Sequence, residues 1–209
     1  GQETTAQTLR NAVLSDRVAH AFLFTGSRGV GKTSAARILT KAVNCLNPNN
    51  GEPCNRCENC TEINQNASAD VIEIDAASNR GIENIRELRE NVNYVPAKCR
   101  FKIYIIDEAH MLTLESFNAL LKTLEEPPPY VKFILATTDP HKIPPTIISR
   151  CQRYDFLRIS IKKMADFLET VVKDENFKLS RKAIEMICRN SVGGMRDALT
   201  AIDQILSFT

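Results

Sequence analysis

The chain has 209 residues, 43% hydrophobic and 25% charged, with 27 Lys+Arg against 25 Asp+Glu for a formal net charge of +2. This is ordinary globular usage, which argues against disorder, and the charge is too near zero to announce a nucleic-acid partner. No apolar run approaches the roughly 18 residues of a membrane span, and Gly1-Gln2-Glu3-Thr4-Thr5 lacks the basic and apolar regions of a signal peptide.

The predicted elements begin with a helix over Thr4–Ser15, where Leu9, Val13 and Leu14 recur at helical spacing. Ala21–Thr25 reads as a buried strand that ends at Gly26. A glycine-punctuated loop follows, then a helix over Lys32–Asn44. The segment after it is turn-rich (Asn47-Pro48-Asn49-Asn50-Gly51) and crowded with cysteine. Val71–Asp75 is the next strand, and a helix with Ile82, Ile85, Leu88 and Val92 follows it. Phe101–Asp107 is a strongly apolar strand, and Leu114–Glu125 is a helix stopped by Pro127-Pro128-Pro129. Val131–Thr138 and Arg153–Phe156 complete the strands. Beyond about residue 157 only helices are expected, over 162–174, 180–191 and 195–207. Strands alternating with helices imply a parallel sheet flanked by helices. The expected division is a nucleotide-binding domain over 1–157, with a metal module at 45–60, and a small helical domain over 158–209.

Gly26-Ser27-Arg28-Gly29-Val30-Gly31-Lys32-Thr33 matches G-x-x-x-x-G-K-[ST], with a strand before it and a helix after it. Glycines let backbone N–H groups curl around a phosphate, and the helix N-terminus adds positive potential. Lys32 would reach the β- and γ-phosphates of ATP, and the Thr33 hydroxyl would ligate Mg²⁺. Ser34 extends the same loop. Asp107 and Glu108 end a buried strand, where parallel sheets hold ligands. Asp107 is expected to hold Mg²⁺ and Glu108 to polarise the attacking water. Thr138 could bond the γ-phosphate or that water.

Seven cysteines is an odd number, so a complete set of internal disulfides is excluded and a reducing compartment with a metal site fits better. Cys45, Cys54, Cys57 and Cys60 offer four thiolates, which suits a closed tetrahedral Zn²⁺ site of structural character. An iron–sulfur cluster is the rival reading, since ferredoxins also use C-x₂-C-x₂-C runs.

Together with His20–Phe24, Asp75–Ser78, Ile106–Leu112 and Asn118–Pro128, these motifs resemble the gamma/tau family of bacterial DNA polymerase III clamp-loader ATPases, which are AAA+ proteins. The inserted cysteine module is the distinguishing part. The resemblance implies an AAA+ fold with an inserted zinc module and a C-terminal helical lid. It also implies Mg²⁺-dependent ATP hydrolysis in a cytoplasmic complex that loads a sliding clamp onto primer-template DNA. Its partners would be delta, delta-prime and further gamma/tau copies. Thr138 would then be the sensor-1 residue, and Arg150 of Ser149-Arg150-Cys151 the arginine finger acting on a neighbour's ATP. Arg196 would be sensor 2 in the lid, with Met195 beside it near the adenine. Arg80, Arg86 and Lys122 are weaker candidates for DNA-phosphate contacts. A basic, Trp-containing N-terminal segment and a helical collar, normal in the family, are not in this sequence, so a two-domain fragment is expected. Three rivals stand beside this reading. They are a non-hydrolysing, delta-prime-like scaffold, a zinc-dependent nucleic-acid binder with an incidental ATP site, and a P-loop kinase.

Overall fold

The computed structural model describes residues 2–78, 82–175, 177 and 179–207. They group into two compact units: Thr4–Thr25 with Lys32–Asp155, and Gly1–Glu3 with Gly26–Gly31 and Phe156–Thr209.

The first unit is built on one five-stranded sheet. Its strands are β1 (Ala21–Thr25), β2 (Val71–Asp75), β3 (Lys102–Asp107), β4 (Val131–Thr137) and β5 (Gln152–Asp155). They lie in the order β2-β3-β4-β1-β5, and all four pairings are parallel. Strands covered on both faces read as near-continuous apolar runs rather than alternating ones. β1 and β4 are buried along their whole length for this reason.

On one face Leu23, Tyr104, Ile106, Phe133 and Leu135 meet Ile85 and Leu88 of α4 (Ile82–Asn91) and Phe117, Leu120 and Leu124 of α5 (Leu114–Glu125). The alternate residues Phe22 and Phe24 point the other way and pack on the Tyr154 ring, with centroids 6.1 and 5.9 Å away. α2 (Lys32–Asn44) lies against β3 and β4 and buries Ala36 and Leu39. α1 (Glu3–Leu14) precedes the sheet. Each fully buried Leu, Ile or Phe removes enough apolar area to contribute about 1.5–3 kcal/mol.

Two short helices depart from the sequence reading. α3 (Glu58–Asn64) lies in the cysteine segment, where no helix is expected, and α6 (Pro145–Ile148) begins within a proline-rich stretch. Neither is long enough for helical periodicity to show. α3 buries Asn59, Cys60 and Ile63 on a single face. β4 ends at Thr137, one residue before the expected end at Thr138.

In the second unit, α7 (Ile161–Asp174), α8 (Arg181–Asn190) and α9 (Met195–Ser207) bury Met164, Leu168, Val172, Ile184, Ile187, Cys188, Ala198 and Ile202 together. α7 and α8 start where they do because Ser160 and Ser180 accept the backbone N–H groups of Lys163 and Ala183.

Candidate functional site

The register of the sheet decides which strand ends meet. Thr25 pairs with Thr137, and Ile106 pairs with Leu135, so Asp107 ends β3 beside the end of β4. The Thr33 hydroxyl, in the first turn of α2, donates to Asp107 Oδ2 at 2.6 Å. Adjacent oxygens in an Mg²⁺ octahedron with bonds of about 2.1 Å lie roughly 3 Å apart, so this pair fits a cation after a small outward shift. Asp107 Oδ1 accepts the Glu108 N–H at 2.9 Å, which fixes the carboxylate plane. Lys32, one residue before Thr33, is buried at 6% exposure.

Glu108 has φ 46° and ψ 44°, left-handed backbone that a residue with a side chain seldom adopts. This bend carries the chain from β3 into a 3₁₀ turn over Ala109–Met111. Glu108 Oε2 accepts the Thr138 hydroxyl at 3.0 Å. His110 Nδ1 lies 3.4 Å from the same oxygen and 3.1 Å from Thr137 Oγ1. Thr137 Oγ1 in turn accepts the Asp139 N–H at 3.0 Å. The corner therefore gathers Thr33, Asp107, Glu108, Thr137, Thr138 and His110. Sequence reading assigned no role to His110 or Thr137. The signal was there: His110 stands three residues beyond Asp107, the strand-end acid, and Thr137 adjoins Thr138.

The loop Gly26–Gly31 belongs to the second unit. Gly26 has φ 149°, and a Cβ there would stand 2.4 Å from the Phe156 carbonyl oxygen, so no side chain fits. Gly29 has φ 76°, and its carbonyl accepts the Met195 N–H at 2.9 Å. A Cβ at Gly29 would sit 3.4 Å from Arg196 Cβ. The unit thus seats this loop against the start of α9, which places Met195 and Arg196 beside Gly29. Val30 is buried, Ser27 and Met195 are half-buried, and Arg28 and Arg196 are exposed. Ser34, in the first turn of α2, is exposed.

Arg150 lies apart from the corner. It donates to Glu125 Oε1 at 2.5 Å and to the Thr146 carbonyl at 2.6 Å. Arg86 on α4 and Lys122 on α5 are exposed, and neither forms an ion pair among the described residues. Arg80 lies outside the described residues.

The four cysteine sulfurs all lie within 4.8 Å of one another, and Cys45 and Cys57 Sγ are 3.9 Å apart. Zinc–thiolate bonds of about 2.3 Å place tetrahedral sulfurs roughly 3.8 Å apart, so the cluster fits a closed four-thiolate shell. Backbone N–H groups aim at the sulfurs: Cys54 N at Cys45 Sγ (3.2 Å) and Cys57 N at Cys54 Sγ (3.3 Å). The N–H groups of Arg56 and Cys57 pull the Cys54 thiol down to about 6, whereas burial pushes Cys60 up to about 12. The module is tied down at both ends. The Asn44 amide brackets Phe101, accepting from its N–H at 2.8 Å and donating to its carbonyl at 3.0 Å. Asn59 donates to the Asn44 carbonyl at 2.8 Å, and Lys98 pairs with Glu58 and Glu62 on α3.

Two family models match the chain. One, described as DNA polymerase III, delta subunit, covers residues 1–160. The other, the ATPase lid domain of a DNA polymerase III clamp loader subunit, covers residues 163–209. The tau subunit of DNA polymerase III from Bacillus subtilis is 52% identical over 209 residues, which is 100% of this chain and 37% of that protein. The tau subunit from Escherichia coli is 48% identical over 207 residues, 99% of this chain and 32% of that one. The gamma subunit from Buchnera aphidicola is 45% identical over 210 residues, covering 99% and 56%. The chain therefore spans about a third of the tau relatives' length. Among solved structures, a Holliday junction branch migration motor from Thermotoga maritima aligns with TM-score 0.67 at 19% identity, covering 96% of this chain and 60% of that one. A gamma subunit-related protein from the same organism aligns with TM-score 0.54 at 22% identity, covering 88% and 57%. At that identity the neighbours speak to the fold alone, and the fold is the AAA+ parallel sheet with a C-terminal lid. No helix among the described residues is long and apolar enough to cross a membrane.

Proposed function

Because the chain belongs to the clamp-loader subunits of bacterial DNA polymerase III, we propose that it is the ATP-hydrolysing part of a gamma/tau subunit, acting in the cytoplasm to load a sliding clamp onto primed DNA. The single observation that carries this reading is the 2.6 Å pairing of Thr33 with Asp107, with Glu108 next in the chain. A phosphate-loop threonine meets a strand-end acid where a nucleotide-bound cation needs both.

The reading divides the chain into a nucleotide-binding domain over 1–157 and a lid over 158–209. Backbone N–H groups of the loop 26–33 hold the ATP phosphates, and Lys32 sets a positive charge against them. Thr33 and Asp107 hold Mg²⁺, which neutralises phosphate charge when bound. Glu108 orients the attacking water and accepts its proton. Arg196 and Met195 bring the lid to the nucleotide. Arg150, held by Glu125, serves ATP on the neighbouring subunit, so hydrolysis depends on assembly with delta, delta-prime and further gamma/tau copies. Cys45, Cys54, Cys57 and Cys60 hold a structural zinc. Arg86 and Lys122 are exposed cations suited to DNA phosphate, and Arg80 keeps that role on sequence grounds only.

Lys32, Thr33, Asp107 and Glu108 are all in place, which favours hydrolysis over a delta-prime-like scaffold. The test is ATP turnover by the full-length protein reconstituted with its partner subunits. Turnover should rise when clamp and primed DNA are added. Turnover unchanged by either addition, or equal in a Lys32→Ala assembly, would overturn the reading.

A further inference from the structure

A carboxylate that acts as a base needs one oxygen held and the other free. Thr138 supplies a single hydrogen bond to Glu108 Oε2, at 3.0 Å. One bond leaves the carboxylate able to swing about it. His110 approaches the same oxygen from a different element, the 3₁₀ turn after β3, with Nδ1 3.4 Å away. Its ring is itself held, because Nδ1 lies 3.1 Å from Thr137 Oγ1. That hydroxyl is fully buried and accepts the Asp139 N–H. The imidazole therefore has a rigid support on β4 and one nitrogen facing two oxygens.

We infer that His110 is a positioning residue for Glu108, holding its Oε2 through a proton on Nδ1. The inference rests on the reading of Glu108 as the residue that orients water. A lone pair on Nδ1 would face a carboxylate oxygen and be repelled by it. The tautomer with hydrogen on Nδ1 bonds Thr137 Oγ1 at 3.1 Å and turns the positive edge of the ring toward Glu108 Oε2 at 3.4 Å, a longer electrostatic contact. Thr138 then holds Oε2 by a hydrogen bond and His110 by electrostatic attraction. Glu108 Oε1, which takes no hydrogen bond from any described residue, is left for the water. His110 touches no reacting atom in this scheme and acts through Glu108 alone.

The chemistry of the amides gives a discriminating test. The side-chain nitrogen of Asn falls near the place of His Nδ1, whereas that of Gln reaches toward Nε2. In the full-length protein assembled with its partner subunits, His110→Ala should lower kcat about tenfold. Nucleotide affinity and KM should stay within about twofold, which also shows that the variant folds. His110→Asn should restore kcat to within about threefold of the parent, and His110→Gln should behave like His110→Ala. Adding His110→Ala to Glu108→Gln should cost nothing further. Isotope-edited NMR of the full chain should find the imidazole proton of His110 on Nδ1. A parental kcat for His110→Ala beside a slow Glu108→Gln would overturn this inference alone, as would an Asn variant no better than Gln or a proton on Nε2 only. Parental hydrolysis by Glu108→Gln would overturn the role of Glu108 itself, and the inference with it.

Discussion

The cysteine cluster draws four sulfurs from one stretch of chain between Cys45 and Cys60, whereas the acidic corner draws its oxygens from the ends of β3 and β4 and the first turn of α2. The first is a local staple. Its geometry is set by short turns and one helix, and its strength would come from a metal. The second is a product of topology. Thr138 and Glu108 are 30 residues apart, and only the parallel register of β3 against β4 brings them together. A local site can be lost without its surroundings, but a topological site survives as long as the sheet does. The two regions should therefore fail independently.

The largest expected effect tests that independence. A structural zinc contributes on the order of 10 kcal/mol in zinc-binding peptides at neutral pH. Removing it with a chelator, or replacing Cys60 with Ser, should melt α3 and the segment around it. Circular dichroism and metal content read this directly. Nucleotide affinity should stay within about threefold, because the sheet core does not depend on the module. Collapse of the whole chain on chelation would break the comparison.

Asp70 gives the next effect, because it ties together the ground between the two regions. Its carboxylate accepts the N–H groups of Ala97, Lys98 and Cys99 at 2.7–2.8 Å. Phe101, two residues on, is the group that Asn44 brackets. Asp70→Ala should cost about 3 kcal/mol, since three N–H groups lose their partner. Burial alone would raise the Asp70 pKa, but the N–H groups of Cys99, Ala97 and Lys98 outweigh it and hold it below the ordinary value. A depressed folded pKa means the stabilisation is present above the unfolded value of about 3.9 and is lost as pH falls through the folded one. Urea midpoints of parent and variant should therefore differ at pH 7, and the gap should narrow as pH falls below about 4. A gap that does not narrow in acid would contradict the carboxylate's role.

Lys32→Ala should weaken nucleotide binding by about 10–100-fold, the worth of a charge-assisted contact to phosphate. It should leave zinc content within error, as calorimetric titration and metal analysis would show. The smallest effects belong to the exposed cations. Arg86→Ala and Lys122→Ala should each reduce the salt slope of DNA binding by about 1 in the assembled complex, with no change in sequence preference. An unchanged slope removes that residue from the DNA-binding face.

What was legible in the sequence follows the same division. The phosphate loop and the four cysteines are short-range patterns, and their spacing alone suggests the chemistry. β1 and α2 could be bounded to the residue because Gly26 and the lysine–threonine pair punctuate them. α3 escaped because seven residues carry less than two turns of pattern. The bond from the Thr138 hydroxyl to Glu108 depends on the β3–β4 register, which no local pattern shows. The hold of Arg150 on Glu125, 25 residues back, depends on how α5 and α6 pack. His110 has no pattern of its own. Its place beside Glu108 follows from the left-handed bend at that glutamate, which turns the chain back toward β4.

The most direct measurement is single-turnover hydrolysis of prebound ATP by the full-length assembly, comparing Glu108→Gln with the parent. The substitution keeps the size of the side chain and removes its basicity. Equal nucleotide affinity with hydrolysis slowed about 100-fold or more is the expected result. Equal affinity with equal hydrolysis would contradict the assignment of the acidic corner as the place where ATP is cleaved.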